Sequence, residues 1–534
     1  MMRIFGLDQM PGEPQETNGL TNIDLNQWVF LFLLKFIGRN KYPNLKKEEV
    51  KGMRRYKLFI DGEFVESTSN RMIKVINPAN EEIISEVPEG TVEDTRKAID
   101  AAFESQKMWE KLPAIERAKY LRKIADGIRK NSKMLTETLM EEQGKVRSLA
   151  ETEINFTADY IDYMAEWARR IEGEIIPSDK PNENILLYKA PIGVVAGILP
   201  WNFPFFLIAR KMAPALITGN TIVVKPSSET PNNAFEFAKI VAESCLPKGV
   251  FNLVTGRGSV VGEELASNPK VGMVSFTGSV EAGSRIMQLA AKNITKVSLE
   301  LGGKAPAIVM DDANIDDAVK YIKQSRVINT GQVCNCAERV YVHEKVADEF
   351  IEKMVKAMQE TKYGEPLKDD DIEMGPLISK SALESVEGFV ERAIQQGAKL
   401  LTGGKDDKFK KGFYYKATVL ANCTQDMEII QKEIFGPVLP IVTFKDLDQA
   451  IEYANDCEYG LTSSIYTQNL DVMMRAANEI KFGETYVNRE NFEAMQGFHA
   501  GWRKSGIGGD DGKHGVEEFL NTHVIYIQYD TKKK

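Results

Sequence analysis

Cys334 and Cys336 lie in NTGQVCNCAERV, a polar segment containing glycine, whereas Cys245, Cys423 and Cys457 sit in contexts that read as ordinary packing. A reactive thiolate needs a polar, partly accessible surrounding, so the pair at 334 and 336 is the place to look for a nucleophile. The C-x-C spacing also suits a soft metal, but no second cysteine pair and no nearby histidine completes a ligand set, and no metal is expected. Glu300 stands in the apolar pattern KVSLELGGKAP. It is either an edge-strand charge or a general base held in a low-dielectric site, and a thiol with such a base points to covalent acyl chemistry. The string PWNFPF (200–205) follows a buried-strand pattern with two prolines, an indole and an amide. A rigid loop of this kind can aim the Asn202 N–H at an oxyanion, although Trp201, Phe203 and Phe205 read equally well as core.

Two glycine-bearing turns follow strand patterns and open helices. TGRGSVVG carries Gly256, Gly258 and Gly262; FTGSVEAG carries Gly278 and Gly283 around Ser279, directly after Phe276. Backbone N–H groups at a helix N-terminus make an anion site suited to a pyrophosphate. Either turn alone could merely redirect the chain, but two in consecutive βα units favour a dinucleotide. No G-x-x-x-x-G-K-[ST] is present, which argues against a P-loop ATPase.

These side chains need elements to hold them. Residues 91–172 carry amphipathic patterns that predict three helices, with Ile115, Ala118, Leu121, Ile124 and Ile128 on one face. Residues 172–188 break that period and predict a hairpin. Short apolar runs at 192–199, 221–225, 251–255 and 271–276 then alternate with helix-length stretches at 206–218 and 231–245, which predicts a parallel sheet covered on both faces. The right-handed crossover makes this a doubly wound nucleotide-type fold with its ligand at the carboxyl ends of the strands. A second α/β series begins at APAIVM (305–310). The alternating tail FLNTHVIYIQYD predicts a strand that pairs with another strand or another subunit.

Composition limits the function further. Lys plus Arg number 68 against 77 Asp plus Glu, a net charge of −9, so neither nucleic acid nor an anionic membrane is an expected partner. Four histidines, in no H-E-x-x-H arrangement, leave little for a zinc enzyme or a Ser-His-Asp triad. Five scattered cysteines indicate a reducing cytoplasm. Residues 1–52 read differently from the rest. Their apolar run, Trp28 to Ile37, is about half of the roughly 20 residues that span a bilayer, and its acidic approach does not suit a secretory signal. Met53 is therefore expected to be the natural start, ahead of a hairpin at Asp61-Gly62, with 1–52 an appended or non-native leader.

Six strings in order, PWNFP, KPSSETP, FTGS, LELGG, GQVC and EIFGPV, resemble the aldehyde dehydrogenase superfamily from about residue 55 to the end. The spacing 334 − 300 = 34 is also that superfamily's. GQVCNCAERV and NRENFEAMQGFHAGWRKSG (488–506) look most like its lactaldehyde/glycolaldehyde dehydrogenase group. The resemblance implies a doubly wound cofactor domain (53–173 and 192–301), an α/β catalytic domain (302–506) and a small β oligomerisation element (174–191 and 516–534). It implies Cys334 as nucleophile, Asn202 with the Cys334 backbone N–H at the oxyanion, and Glu300 activating water. For the cofactor it implies Lys225 at the adenosine ribose, and Trp201 and Ser279 at the pyrophosphate beside Gly258, Gly262, Phe276, Gly278 and Gly283. Glu433 and Phe435 would lie at the nicotinamide ribose. One position departs from the pattern. Ser228 stands where members preferring NAD commonly carry a glutamate, with the acid displaced to Glu229, so NADP is favoured over NAD. Arg210, Glu493 and His499 would hold the hydroxyl of a short 2-hydroxyaldehyde, and Lys211 with Asp510 would form a polar exit path for protons. The implied activity is NAD(P)-dependent oxidation of lactaldehyde, glycolaldehyde or glyceraldehyde to acids through a cysteine thioester, in a cytoplasmic dimer or tetramer. The alternatives are a semialdehyde dehydrogenase with the substrate carboxylate on Arg210, and a catalytically silent structural relative.

Overall fold

The computed structural model describes residues 53–530, so the leader expected over residues 1–52 lies outside the described residues. Four runs rich in β-branched or aromatic residues, Val194–Ile198, Thr221–Lys225, Phe251–Leu253 and Val271–Thr277, form parallel strands close to their expected limits. Lys296–Glu300 joins them in parallel beside Val271–Thr277. The strand order across this eight-stranded sheet is Gly506–Ile507, Lys296–Glu300, Val271–Thr277, Val194–Ile198, Thr221–Lys225, Phe251–Leu253, Leu58–Ile60 and Glu63–Val65. From Val194–Ile198 the chain moves outward on one side and returns on the other, so its carboxyl end is a topological switch point, where ligands bind such sheets. Successive residues of that strand serve opposite faces. Val195 packs into one hydrophobic cluster, whereas Val194, Ala196 and Ile198 pack into another, and this is why the run is apolar throughout.

A second, seven-stranded sheet has the order Lys399–Lys405, Tyr415–Ala421, Val438–Phe444, Ala337–His343, Ala305–Val309, Thr462–Tyr466 and Glu484–Val487. All its pairs are parallel except the first. The expected terminal strand, Leu520–Gln528, pairs antiparallel with Glu183–Pro191, which pairs in turn with Glu174–Pro177. This small sheet leaves Ile175 77% and Tyr526 66% exposed.

Two expectations need correction. The amphipathic stretch after residue 91 is four helices, Val92–Trp109, Ala114–Lys130, Ser132–Gln143 and Arg147–Ala165, instead of three. Asn131 separates the second from the third without disturbing the apolar spacing, and Gly144 ends the third in a left-handed cap. Cys245 is also not a packing residue; its side chain is exposed.

Candidate active site

Cys334 lies between the turn Ile328–Gly331 and the strand Ala337–His343, on a backbone that makes three consecutive left-handed steps: Asn329 (φ 49°), Thr330 (φ 59°) and Gly331 (φ 74°). Such a conformation costs about 1–3 kcal/mol at each non-glycine residue and persists only where the surroundings enforce it. They do so here. Asn329 Nδ2 donates to the Asn202 carbonyl (3.1 Å), Thr330 Oγ1 to the Gly375 carbonyl (3.1 Å) and the buried Arg326 to the Gly331 carbonyl (2.5 Å). A Cβ at position 331 would come within 2.3 Å of the Gly436 carbonyl oxygen, so glycine is required. Of the two neighbouring thiols, only Cys334 is accessible. Cys336 is buried with its Sγ 2.9 Å from the Val333 carbonyl, and burial pushes its thiol up to about 12.

Asn202 follows the switch-point strand. Its Nδ2 donates to the Gln332 carbonyl (3.1 Å), so the amide lies against the segment carrying Cys334, and its buried Oδ1 has no partner among the described residues. The loop is fixed from beneath. Lys145, fully buried, donates to the Asn202 carbonyl (2.8 Å) and pairs with Glu153 (2.5 Å). Glu153 accepts the Phe205 and Phe206 N–H groups (2.9 and 3.1 Å) at the start of the helix Pro204–Ile217. Glu300 is the last residue of Lys296–Glu300, a strand paired on both sides, so it is not an edge-strand charge. Neither of its buried carboxylate oxygens has a hydrogen-bond partner among the described residues, and burial pushes the group up to about 8 against the pull of His499, whose Nε2 is 3.6 Å away.

Arg210, Glu493 and His499 do converge, in company that the sequence did not reveal. Arg210 Nη2 donates to Glu493 Oε1 (3.0 Å), but the guanidinium is also gripped by Asp511, through Nε to Oδ1 at 3.1 Å and through Nη2 to Oδ2. Against the cost of burial, the Asp511 carboxylate and then Glu493 hold Arg210 well above its ordinary value. Asp511 adopts φ 71°, ψ 163°, a region nearly exclusive to glycine. The other Glu493 oxygen accepts from Asn335 Nδ2 (2.6 Å), the neighbour of Cys334. His499 Nδ1 lies 2.5 Å from Glu484 Oε1. Lys211 and Asp510, expected on a proton exit path, pair at 2.6 Å and are both buried. Asp511, Asn335, Glu484, Lys145 and Glu153 were all missed; the only local signal was the paired acid in GGDDG.

Lys225, Ser228 and the glycine turns, expected at the cofactor, end or follow strands of the first sheet. Lys225 ends its strand buried, and its single ammonium hydrogen bond among the described residues goes to the Pro226 carbonyl (3.2 Å). Burial without a facing carboxylate lowers it to about 8. Ser228 is part-exposed and Glu229 exposed. A Cβ on Gly258 would meet open space, and one on Gly262 would touch Lys225 Cδ at 3.9 Å. Gly278 abuts the Phe276 ring. Gly283 is a packing glycine, because a Cβ there would come within 2.5 Å of Leu301 Cδ2. Ser279 caps the helix Val280–Ala290 by accepting from the Ala282 N–H (3.2 Å). Trp201 and Phe435 meet edge-to-face with ring centroids 5.5 Å apart, and Phe435 has φ 55°. Glu433 accepts the Gly303 N–H (2.9 Å), with burial pushing it up to about 7. Beneath it, Glu338 accepts the Ile434 and Phe435 N–H groups and pairs with Lys304 and Arg326, each at 2.8 Å.

Residues 64–525 match the model of the aldehyde dehydrogenase family. The chain belongs to that family. It is 64% identical over 471 residues to the lactaldehyde dehydrogenase of Escherichia coli (strain K12), a match covering 88% of this chain and 98% of the relative. The crystal structure of lactaldehyde dehydrogenase from Escherichia coli superposes with a TM-score of 0.88 at 63% identity, covering 89% of this chain and 99% of that one. The D-glyceraldehyde dehydrogenase (NADP(+)) of Picrophilus torridus is 41% identical over 477 residues, 89% of this chain and 96% of the relative. Aldehyde dehydrogenases oxidise aldehydes with NAD(P), and the residues here fit such a cofactor: a buried lysine without a counter-charge, an open glycine turn and a helix N-terminus each lie at or follow the carboxyl end of a strand of the first sheet. Among the described residues no helix is long and apolar enough to cross a membrane.

Proposed function

We propose that this chain oxidises small, neutral 2-hydroxyaldehydes (lactaldehyde, glycolaldehyde, glyceraldehyde) to their acids through a thioester on Cys334. The observation that carries the proposal is an accessible thiol, an amide against its segment, and a buried carboxylate with no hydrogen-bond partner among the described residues, beside a polar wall whose charges are already matched. The Cys334 thiolate attacks the carbonyl carbon. The second N–H of Asn202, with the Cys334 backbone N–H, takes the oxyanion that develops. Bound nicotinamide supplies the hydride acceptor. Glu300, at the end of its strand, then takes a proton from the water that attacks the thioester, and the acid leaves.

The wall supports a neutral substrate. Arg210 faces Asp511 and Glu493, so a substrate carboxylate would meet two carboxylates around one guanidinium. A hydroxyl would find both donors and acceptors. That weighs against a semialdehyde substrate. Beside Lys225, Ser228 offers a hydroxyl to a 2′-phosphate, which supports preference for NADP over NAD, and a relative's name carries NADP(+). The apolar side chains exposed on the three-stranded sheet support a homo-oligomer, dimer or tetramer, with 174–191 and 516–534 as its bridging element. The doubly wound sheet supports 53–173 and 192–301 as the cofactor domain, and the seven-stranded sheet supports 302–506 as the catalytic domain. Five free cysteines are consistent with a cytoplasmic location.

An aldehyde panel with both cofactors tests the reading. Lactaldehyde and glycolaldehyde should exceed their deoxy analogues and succinic semialdehyde in kcat/KM by about tenfold or more, with NADP⁺ the better cofactor and Ser228→Glu reversing the order. Highest kcat/KM with the semialdehyde, or strict NAD⁺ dependence, would contradict it.

A further inference from the structure

Glu338 closes the run CNCAE that Cys334 opens, and it is 1% exposed. We infer that Glu338 is a positioning residue that fixes the Cys334 segment against the loop Glu433–Phe435, expected at the nicotinamide ribose, and so sets the approach of the reacting carbon to the hydride acceptor. The inference rests on the proposed roles of Cys334 and of that loop and deepens them.

Both oxygens of this carboxylate are used twice, and in the same way. Oε1 pairs with Arg326 Nη1 (2.8 Å) and accepts the Phe435 N–H (3.1 Å); Oε2 pairs with Lys304 Nζ (2.8 Å) and accepts the Ile434 N–H (3.0 Å). Each oxygen takes one cation and one backbone donor, which fills the four lone-pair directions of a carboxylate. Arg326 carries the linkage back to the nucleophile. Its Nη1 also donates to the Ala337 carbonyl (2.9 Å), and its Nη2 to the carbonyl of Gly331, the last of the left-handed residues that lead to Cys334. Lys304 carries it to the base, because Leu301, Gly302 and Gly303 alone separate it from Glu300.

The segments joined by this cluster also touch one another. A Cβ on Gly331 would come within 2.3 Å of the Gly436 carbonyl oxygen, one on Gly302 within 2.3 Å of Glu433 Oε2, and one on Gly303 within 2.6 Å of the Cys334 carbonyl oxygen. The nucleophile segment, the segment after the base and the 433–436 loop therefore meet without room for a side chain at these points. Glu338 bonds directly to two of them and through Arg326 to the third. Phe435 adopts φ 55°, a left-handed conformation that a side chain holds only where its surroundings enforce it, and the bond from its N–H to Glu338 is part of that enforcement. Against burial, which would raise it, Arg326 and Lys304 hold the Glu338 carboxyl below the usual carboxylate range, so the four bonds persist at neutral pH. Such fixing matters to the reaction because a displacement of about 1 Å between reacting groups can cost about 10²-fold in rate.

Glu338→Gln keeps the side-chain volume but gives up one carboxylate oxygen, and the full-length variant tests the inference by calorimetric titration and by the pre-steady-state burst. NADP⁺ should bind about tenfold more weakly than to wild type, while 2′,5′-ADP, which carries only the adenosine end, should bind equally well to both; NAD⁺ and 5′-AMP replace this pair where NAD⁺ is the better cofactor. The burst of reduced cofactor should slow by about 10² and acquire a primary isotope effect with lactaldehyde deuterated at the aldehyde carbon. A burst at the wild-type rate, or an equal weakening of cofactor and fragment, would overturn the inference. Where Glu338→Gln does not fold, hydrogen exchange in the wild-type enzyme decides. The peptide carrying Ile434 and Phe435 should be protected before any cofactor is added, and rapid exchange that only the cofactor suppresses would overturn the inference. These outcomes judge Glu338 itself, whereas turnover persisting in Cys334→Ser would overturn the inference by removing the nucleophile it serves.

Discussion

The two walls of the site solve opposite problems. On the wall proposed to meet the substrate the buried charges are matched: Arg210 by Asp511 and Glu493, and Lys211 by Asp510. On the other wall Glu338 is matched by Lys304 and Arg326, but three buried groups lack such partners. Lys225 touches one carbonyl, and the Glu300 carboxylate and Asn202 Oδ1 have no hydrogen-bond partner among the described residues. A matched buried group fixes geometry, and removing one partner leaves an uncompensated charge. An unmatched one carries a desolvation penalty in the protein alone, and that penalty is relieved when a ligand or transition state supplies the complement. Pairing therefore separates the residues that shape the pocket from those that meet the chemistry.

Substitutions on the two walls should differ in kind. The largest expected effect on stability is on the matched wall. Asp511→Asn leaves the Arg210 guanidinium short of a partner and should cost about 3–5 kcal/mol in denaturant unfolding, while raising kcat/KM for succinic semialdehyde relative to lactaldehyde. Asn202→Ala removes the donor proposed to meet the developing charge. It should slow the pre-steady-state formation of NAD(P)H by about 10²–10³ and change stability by less than Asp511→Asn does. The smallest effect has the opposite sign. Glu300 has a folded value of about 8 against about 4.3 unfolded, so the folded state is progressively penalised as pH rises from about 4.3 to about 8. Glu300→Gln should then gain stability relative to wild type as pH rises toward 8, with no gain at pH 4. Thermal unfolding across that range checks the sign.

What the sequence disclosed follows the same division. Cys334, Glu300 and Asn202 were legible because each is an unusual residue type in its immediate context, and the strands at 194–225 because β-branched runs between helical periods have few other readings. The matched pairs were opaque. Arg210 and Asp511 lie 301 residues apart and Lys145 and Asn202 57 apart, so their pairing exists only in the folded chain. Asn131 divided two helices without leaving a gap in the apolar spacing, so four helices looked like three. The left-handed run at 329–331 could be guessed from Asn-Thr-Gly only at its last position.

The central claim is that Cys334 carries an acyl group which Glu300 releases. It is tested most directly by mixing Glu300→Gln with NADP⁺ and excess lactaldehyde and following reduced cofactor in the stopped flow. One equivalent per active site should form in a burst, followed by a steady state about 10²–10⁴ below wild type, with the missing mass on the Cys334 peptide as a thioester. Steady turnover at the wild-type rate, or loss of the burst itself, would contradict the account.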